Sequence, residues 1–215
     1  MFEKAVRKIG PNNRSITGKQ ISRKSPDSQH FESSLERDYL LLLEYDEVVL
    51  RFTAQPVTIT YYINEQRRRY TPDVAVYFHP SIHRKPWLVE IKYQADLIAH
   101  KAELEPKFAA ARDYCRQCGY EFIIMTEAQI RTDKLHNIRF LSRYKGQKHE
   151  PTLRQAILTS LNNQAQLTAR QLLSNAPTDI AGQLLYALWQ LVADKELLVD
   201  MNNKIIMDTL IWKKQ

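Results

Sequence analysis

Three side chains in residues 67–94, "RRRYTPDVAVYFHPSIHRKPWLVEIKYQ", have the types that metal-assisted phosphodiester hydrolysis requires. Asp73 opens one apolar run, and Glu90 and Lys92 close the next. Such hydrolysis needs a divalent cation, an activated water and charge stabilisation at phosphorus. Magnesium takes hard oxygen ligands and commonly only one or two carboxylates. A nearby ammonium can orient the water or stabilise developing charge. Side chains two apart on a strand share a face, so Glu90 and Lys92 point one way while Val89 and Ile91 point into a core. Asp73 leads the neighbouring run, and Pro72 restricts the backbone just ahead of it. An exposed ion pair on an edge strand has the same spacing, so spacing alone leaves both readings open. A central strand favours the site, because an unpaired Glu and Lys buried there would be costly unless they cooperate or bind metal.

The elements that must position these groups can be read around them. "HFESSLERDYLLLLEYD" has helical spacing through Leu35, Tyr39 and Leu42, with Ser33 or Ser34 as the cap. It supplies a fourth carboxylate, Glu36, preferred over Glu32 and Glu44 because it lies in the first turns. Strand patterns follow at "EVVLRF", "VTITYYIN", "DVAVYFH" and "WLVEIKY", with Gln55-Pro56 as a break. We expect three antiparallel strands in a meander and then a fourth. Residues 97–117 read as helical, with a new start at Pro106 and a stop at Gly119. "YEFIIMTE" reads as a buried strand beside the Glu90 strand, making that strand central. Residues 144–151 have the composition of a linker. Beyond them lie helical patterns at 153–161, 167–173 and 178–194 and a hairpin pattern "LLVDMNNKIIM" turning at Asn202-Asn203. Three helices and a hairpin predict a small winged-helix-like domain. Its third helix carries no Lys or Arg, which predicts docking on protein rather than reading of a DNA groove.

Charge narrows the partner. The 215 residues carry a net +7, and residues 1–150 hold 25 Lys/Arg against 19 Asp/Glu, whereas the remainder holds 6 against 5. A polyanion, nucleic acid first among them, therefore meets the first part. Arg67, Arg68 and Arg69 beside Asp73 are either a solvated turn or phosphate contacts. Arg14, Lys19, Arg23 and Lys24 belong to a basic, polar stretch over residues 1–30 that reads either as a solvated tail or as a flexible DNA-tracking arm. No apolar run approaches the roughly 18 residues of a membrane span, and the N-terminus lacks a secretory apolar middle, so a cytoplasmic, bacterial protein is expected. Cys115 and Cys118, the two cysteines, sit at a helix end rather than at a redox turn and are expected to be structural.

With these blocks in view, the chain resembles a known family. "PD…ExK" is similar to the PD-(D/E)xK restriction-endonuclease-like nucleases. Within them, "SSLERDYLLLLEYDEVVLRFTAQPV", "YTPDVAVY", "LVEIKYQADL" and "FIIMTE" resemble TnsA, the endonuclease subunit of heteromeric cut-and-paste transposons and their CRISPR-associated relatives. The resemblance covers residues 30–145 strongly and the tail loosely. It implies an α/β fold, a restriction-endonuclease-like mixed sheet flanked by helices, and the composition and patterns set expected domain limits at 1–30, 31–147 and 148–215.

It also implies a catalytic set of Glu36, Asp73, Glu90 and Lys92. Asp73 and Glu90 would hold Mg²⁺ (or Mn²⁺), with the Ile91 carbonyl as a further ligand and Glu36 supporting a second metal or its water. Lys92 would serve the attacking water, leaving 5′-phosphate and 3′-hydroxyl ends. Glu90 departs from the archetype, which has Gln-Val-Lys at 90–92. The implied substrate is double-stranded DNA at the 5′ ends of the transposon, cut on the non-transferred strand. The implied partners are the DDE transposase TnsB and the AAA+ regulator TnsC. The rival readings are a stand-alone nuclease of the junction-resolvase or restriction type, and a non-catalytic DNA-binding assembly module.

Overall fold

The computed structural model describes residues 2, 5–6, 16–174 and 176–214. The chain divides into two compact units, residues 1–131 and 132–215. No helix among the described residues is long and apolar enough to cross a membrane.

The first unit begins with β1 (Gly18–Gln20) and β2 (Gln29–Phe31), paired antiparallel. Residues 18–20 and 29–30 of the expected flexible arm thus lie in paired strands. A methyl on Gly18 would stand 2.5 Å from the Phe31 ring, so the close approach needs glycine. Buried Gln29 accepts a hydrogen bond from the Ala54 N–H at 2.6 Å. Helix α1 (Ser34–Tyr45) follows, capped by the Ser33 side chain. Next come β3 (Val49–Ala54), β4 (Ile59–Ile63), β5 (Gln66–Tyr70), β6 (Val74–Phe78), a 3-10 turn at Pro80–Ile82, and β7 (Trp87–Ile91). Helices α2 (Gln94–Ala99) and α3 (Lys101–Cys118), strand β8 (Glu121–Met125) and the short α4 (Glu127–Ile130) complete it.

The central sheet is mixed, in the order β3-β6-β7-β8, with β7 and β8 parallel and the other pairs antiparallel. The meander expectation is corrected here. Strand β4 leaves the sheet and pairs with β5 as a separate ribbon, so β3 pairs directly with β6. The expected helix start at Pro106 is also corrected. The break falls at His100, and α3 runs through Pro106 without interruption. The αL conformation of Gly119, at φ +75°, closes it as expected. Two apolar layers flank the sheet. Phe52, Val76, Val89 and Ile91 pack toward α1, and Ala75, Leu88, Ala111 and Cys115 pack on the α3 side.

The second unit contains α5 (Asp133–Ser142), α6 (Pro151–Asn163), β9 (Gln166–Thr168), α7 (Ala169–Ser174), α8 (Thr178–Ala193), β10 (Leu197–Val199) and β11 (Leu210–Lys213). Helices α6, α7 and α8 fall near the expected positions, although Leu167 and Thr168, expected to open the second helix, belong to β9, and the partner strand of β10 lies further on than Asn202-Asn203 would place it. β11 pairs with both β10 and β9. The fully buried Asn137 on α5 explains the longer connection. Its Nδ2 donates to the Met201 and Asn203 carbonyls at 3.1 and 2.8 Å, and its Oδ1 accepts from the Ile205 N–H at 2.9 Å. α5 belongs with this unit, so the boundary between the units precedes the expected one at 147/148.

Candidate active site

Asp73 and Glu90 come together because β6 and β7 are paired neighbours, with Val74 opposite Val89. Asp73 sits immediately before β6. Its backbone N–H donates to the Val89 carbonyl at 3.0 Å, and its Oδ2 accepts from the Ile91 N–H at 2.6 Å. The carboxylate is thus fixed across the strand end. Its pKa is pushed well above the ordinary carboxylate value by burial, then by the negative charges of Glu90 and Glu36; Lys92 and the Ile91 N–H oppose this.

Glu90 is 2% exposed, and both of its oxygens are engaged. Oε2 accepts from the Tyr70 hydroxyl at 2.6 Å. Oε1 accepts from Lys107 Nζ at 3.1 Å and lies 3.4 Å from Lys92 Nζ. Burial lowers the Lys92 pKa, but the carboxylates of Asp73 and Glu90 outweigh it and hold the ammonium above its ordinary range. The cation is therefore secure at neutral pH. Lys107, from α3, also stands over the Tyr70 ring, 5.0 Å from its centroid.

Glu36 has a capping task. Its N–H donates to Ser33 Oγ at 3.1 Å, its Oε1 accepts from the Ser33 hydroxyl at 2.9 Å and its Oε2 from the Glu32 N–H at 2.8 Å. Burial, and after it the Glu32 carboxylate, raise its pKa against those hydrogen bonds. It lies close enough to Asp73 and Lys92 to shift both. α1 is held there by Arg131, which donates to Asp38 at 3.1 Å and to Ser34 at 2.9 Å, with its guanidinium 5.5 Å from the Tyr93 ring centroid. Of the rival acids, Glu32 lines the site cavity. Glu44 is used elsewhere, accepting from the Ser22 hydroxyl at 2.6 Å.

Asp73, Glu90, Lys92 and Lys107 line one cavity of about 580 Å³ together with Gln55, Thr58, Arg69, Tyr70 and Thr71. Among the described residues no three His, Cys, Asp or Glu side chains converge to cage a cation. What the site offers is two neighbouring carboxylates in a polar cavity, one of them with an oxygen outside its hydrogen bond to Ile91. Magnesium takes such a set when water and substrate oxygens fill the rest of its shell, so the residues fit a hydrated Mg²⁺.

The β4–β5 ribbon carries the arginines. Opposite residues of an antiparallel pair share a face. Thr60 with Arg69 and Tyr62 with Arg67 thus form one exposed face, and Tyr61 with Arg68 the other. On the first face Thr58 and Thr71 continue the row into the cavity, their hydroxyls 3.0 Å apart. Arg68 instead donates to Gln66 at 2.8 Å. Of the N-terminal cations, Lys19 and Arg23 are exposed, while Lys24 Nζ donates to the Leu43 carbonyl at 2.9 Å and to that of Asp46 at the end of α1. Arg14 lies outside the described residues. Cys115 is buried and Cys118 exposed, both as free thiols, and burial pushes the Cys115 thiol up to about 11.

Sequence reasoning passed over Lys107, Tyr70 and Gln55. Tyr70, two residues before Pro72, carried a proximity signal. Lys107 and Gln55 carried none, because their roles depend on α3 and on the end of β3 meeting β7 and β6 in space.

Two family models match the chain. One described as TnsA-like endonuclease N terminal covers residues 46–127, and one described as TnsA endonuclease C terminal covers residues 129–201. The first contains Asp73, Glu90, Lys92 and Lys107 and begins after Glu36. No curated protein matches the chain.

Proposed function

The chain belongs to the TnsA family of DNA endonucleases, and from that premise we propose that it is the subunit of a heteromeric cut-and-paste transposase that cuts the non-transferred strand at the 5′ ends of the transposon. One observation supports the chemistry most directly: Asp73, Glu90 and Lys92 converge on one polar cavity from two paired strands. Magnesium, with manganese able to substitute, supplies Lewis-acid charge and a water of lowered pKa. Asp73, Glu90 and the Ile91 carbonyl would hold it, and Glu36 would support a second cation or its water from the first turn of α1. Lys92 steadies the attacking water or the charge developing on the phosphoryl oxygens. The products are 5′-phosphate and 3′-hydroxyl ends.

In this reading Lys107 neutralises Glu90 until cation and DNA arrive. Glu90 must yield at least part of its bonding to Lys107 and Lys92 to serve a metal, and both ammonium groups then lie ready for phosphate. Arg67 and Arg69 carry the duplex toward the cavity along the exposed face of the ribbon, with Lys19 and Arg23 as further phosphate contacts. Arg68 lies on the opposite face, bonded to Gln66. The second unit acts as a winged-helix-like docking module for protein, TnsC or the transposase TnsB, because α8 has no cation for a phosphate.

The deciding experiment incubates transposon-end DNA with Mg²⁺, with and without TnsB and TnsC, comparing wild type with Asp73→Ala. Cutting at the 5′ ends only with the partners present, and lost in Asp73→Ala, is expected. Equal cutting by both variants would refute the site, and full autonomous cutting would favour a stand-alone nuclease.

A further inference from the structure

Gln55 is unusual on three independent grounds. Its φ is +47°, a left-handed conformation rare for a residue with a side chain and rarer still directly before a proline. Its side chain is buried, at 5% exposure, and Oε1 has no hydrogen-bond partner among the described residues. Buried amide oxygens almost always have one. It also lines the cavity that holds Asp73, Glu90 and Lys92. The strained residue is fastened to the site itself, since its backbone N–H donates to the Asp73 carbonyl at 2.7 Å. A backbone strain that keeps an unbonded acceptor buried at the wall of a polar cavity is the kind that accompanies ligand sites.

We propose that Gln55 is a further oxygen donor of the cation site, its amide oxygen accepting a hydrogen bond from a water bound to the divalent cation held by Asp73 and Glu90. This rests on reading those two carboxylates as the metal ligands. A small hard cation keeps several of its waters, and each is a strong donor that needs an oriented acceptor. Several of the other nearby acceptors are committed. Glu90 is bonded to Tyr70 and Lys107, and the hydroxyls of Thr58 and Thr71 face each other. A neutral amide suits the place, because it receives a water proton without adding negative charge to a site that already holds Asp73 and Glu90 and has Glu32 on its wall.

The test is a titration of the DNA-free protein with Mn²⁺, following free Mn²⁺ by its electron-spin resonance. Wild type binds Mn²⁺ and Asp73→Ala does not. Gln55→Leu, which keeps the bulk and loses the oxygen, weakens binding about tenfold. Gln55→Gly, which also relieves the positive φ, weakens it similarly. That pair separates the oxygen from the backbone. If wild type binds Mn²⁺ through Asp73 and both Gln55 variants bind equally tightly, the inference is overturned while the metal reading stands. If wild type binds none, or Asp73→Ala binds as well as wild type, the metal reading falls and takes the inference with it.

Discussion

Lys107 approaches Glu90 more closely than the motif lysine does: its Nζ is 3.1 Å from Glu90 Oε1, against 3.4 Å for Lys92. The nearest counter-charge to the buried carboxylate thus comes from a helix, 17 residues further along the chain and outside the strand that the motif describes. Lys107→Met should destabilise the metal-free protein by about 1–3 kcal/mol, because it strips a buried carboxylate of one partner while Lys92 remains. Combined with Glu90→Gln, the cost should fall well short of the sum of the two single changes. Urea denaturation of the four proteins closes the cycle, and additive costs would mean the contact carries no coupling.

Asp73 sets a pH dependence. Its folded pKa lies above the ordinary 3.8, so the folded state binds that proton more tightly than the unfolded state does. Stability therefore falls as pH rises from 3.8 through the folded value, and Glu36 acts in the same direction. Asp73→Asn removes the larger effect. In EDTA its melting temperature should exceed that of wild type at neutral pH, by about 2–4 °C for each kcal/mol relieved. The gap should close as pH falls toward 4 and would stay constant if burial of Asp73 had no electrostatic cost.

Lys92→Ala should lower strand cleavage by about 10²–10³-fold, the usual loss of one charge-stabilising donor. Mn²⁺ binding should change far less. Single-turnover cleavage beside a Mn²⁺ titration separates the two, and a parallel collapse of both would recast Lys92 as a structural partner of Glu90.

The two faces of the β4–β5 ribbon should differ in DNA affinity. On an Asp73→Ala background, Arg67→Ala and Arg69→Ala should each reduce the slope of log affinity against log salt by about 0.9. Arg68→Ala should leave it unchanged. Fluorescence anisotropy with a mixed-sequence duplex reads the slope, and equal losses at all three positions would point to net charge rather than a face.

Asn137→Ala should destabilise the second unit by about 3 kcal/mol, since it leaves two carbonyls and one N–H in the loop before β11 without their partner. Unfolding followed at Trp189 and Trp212, both in that unit, measures it. A cost below about 0.5 kcal/mol would show that water replaces the amide freely.

The strand pair that presents Asp73, Glu90 and Lys92 was readable because period-2 alternation, a proline and a second apolar strand all pointed the same way. The Ser33 cap and the Gly119 stop were readable for the same reason: each is a local signal. β5 was hidden. Its residues Gln66–Arg69 are exposed on both faces, so the strand has no alternation and its three arginines read as a turn. The meander failed with it, because the turn residues Asn64 and Glu65, both at positive φ, join β4 to β5 rather than to the sheet. Pro106 misled because a proline usually marks a helix's first turn, whereas here it is the sixth residue of α3 and the helix continues through it. The closest cationic partner of Glu90 could not be read at all. Lys107 is an unremarkable helical lysine until α3 lies across the sheet.

The register of β7 has a further consequence, for how this chain can vary. Val89 and Ile91 fill the interior while Glu90 and Lys92 face the cavity, so one residue inserted or lost in this strand would turn all four around together. Folding and cutting would fail in a single event, with no intermediate lineage that kept one and lost the other. The Asn64-Glu65 tip of the ribbon is under no such constraint. Changes in length and composition among descendants should accumulate there, which makes the ribbon tip the part of the first unit freest to vary.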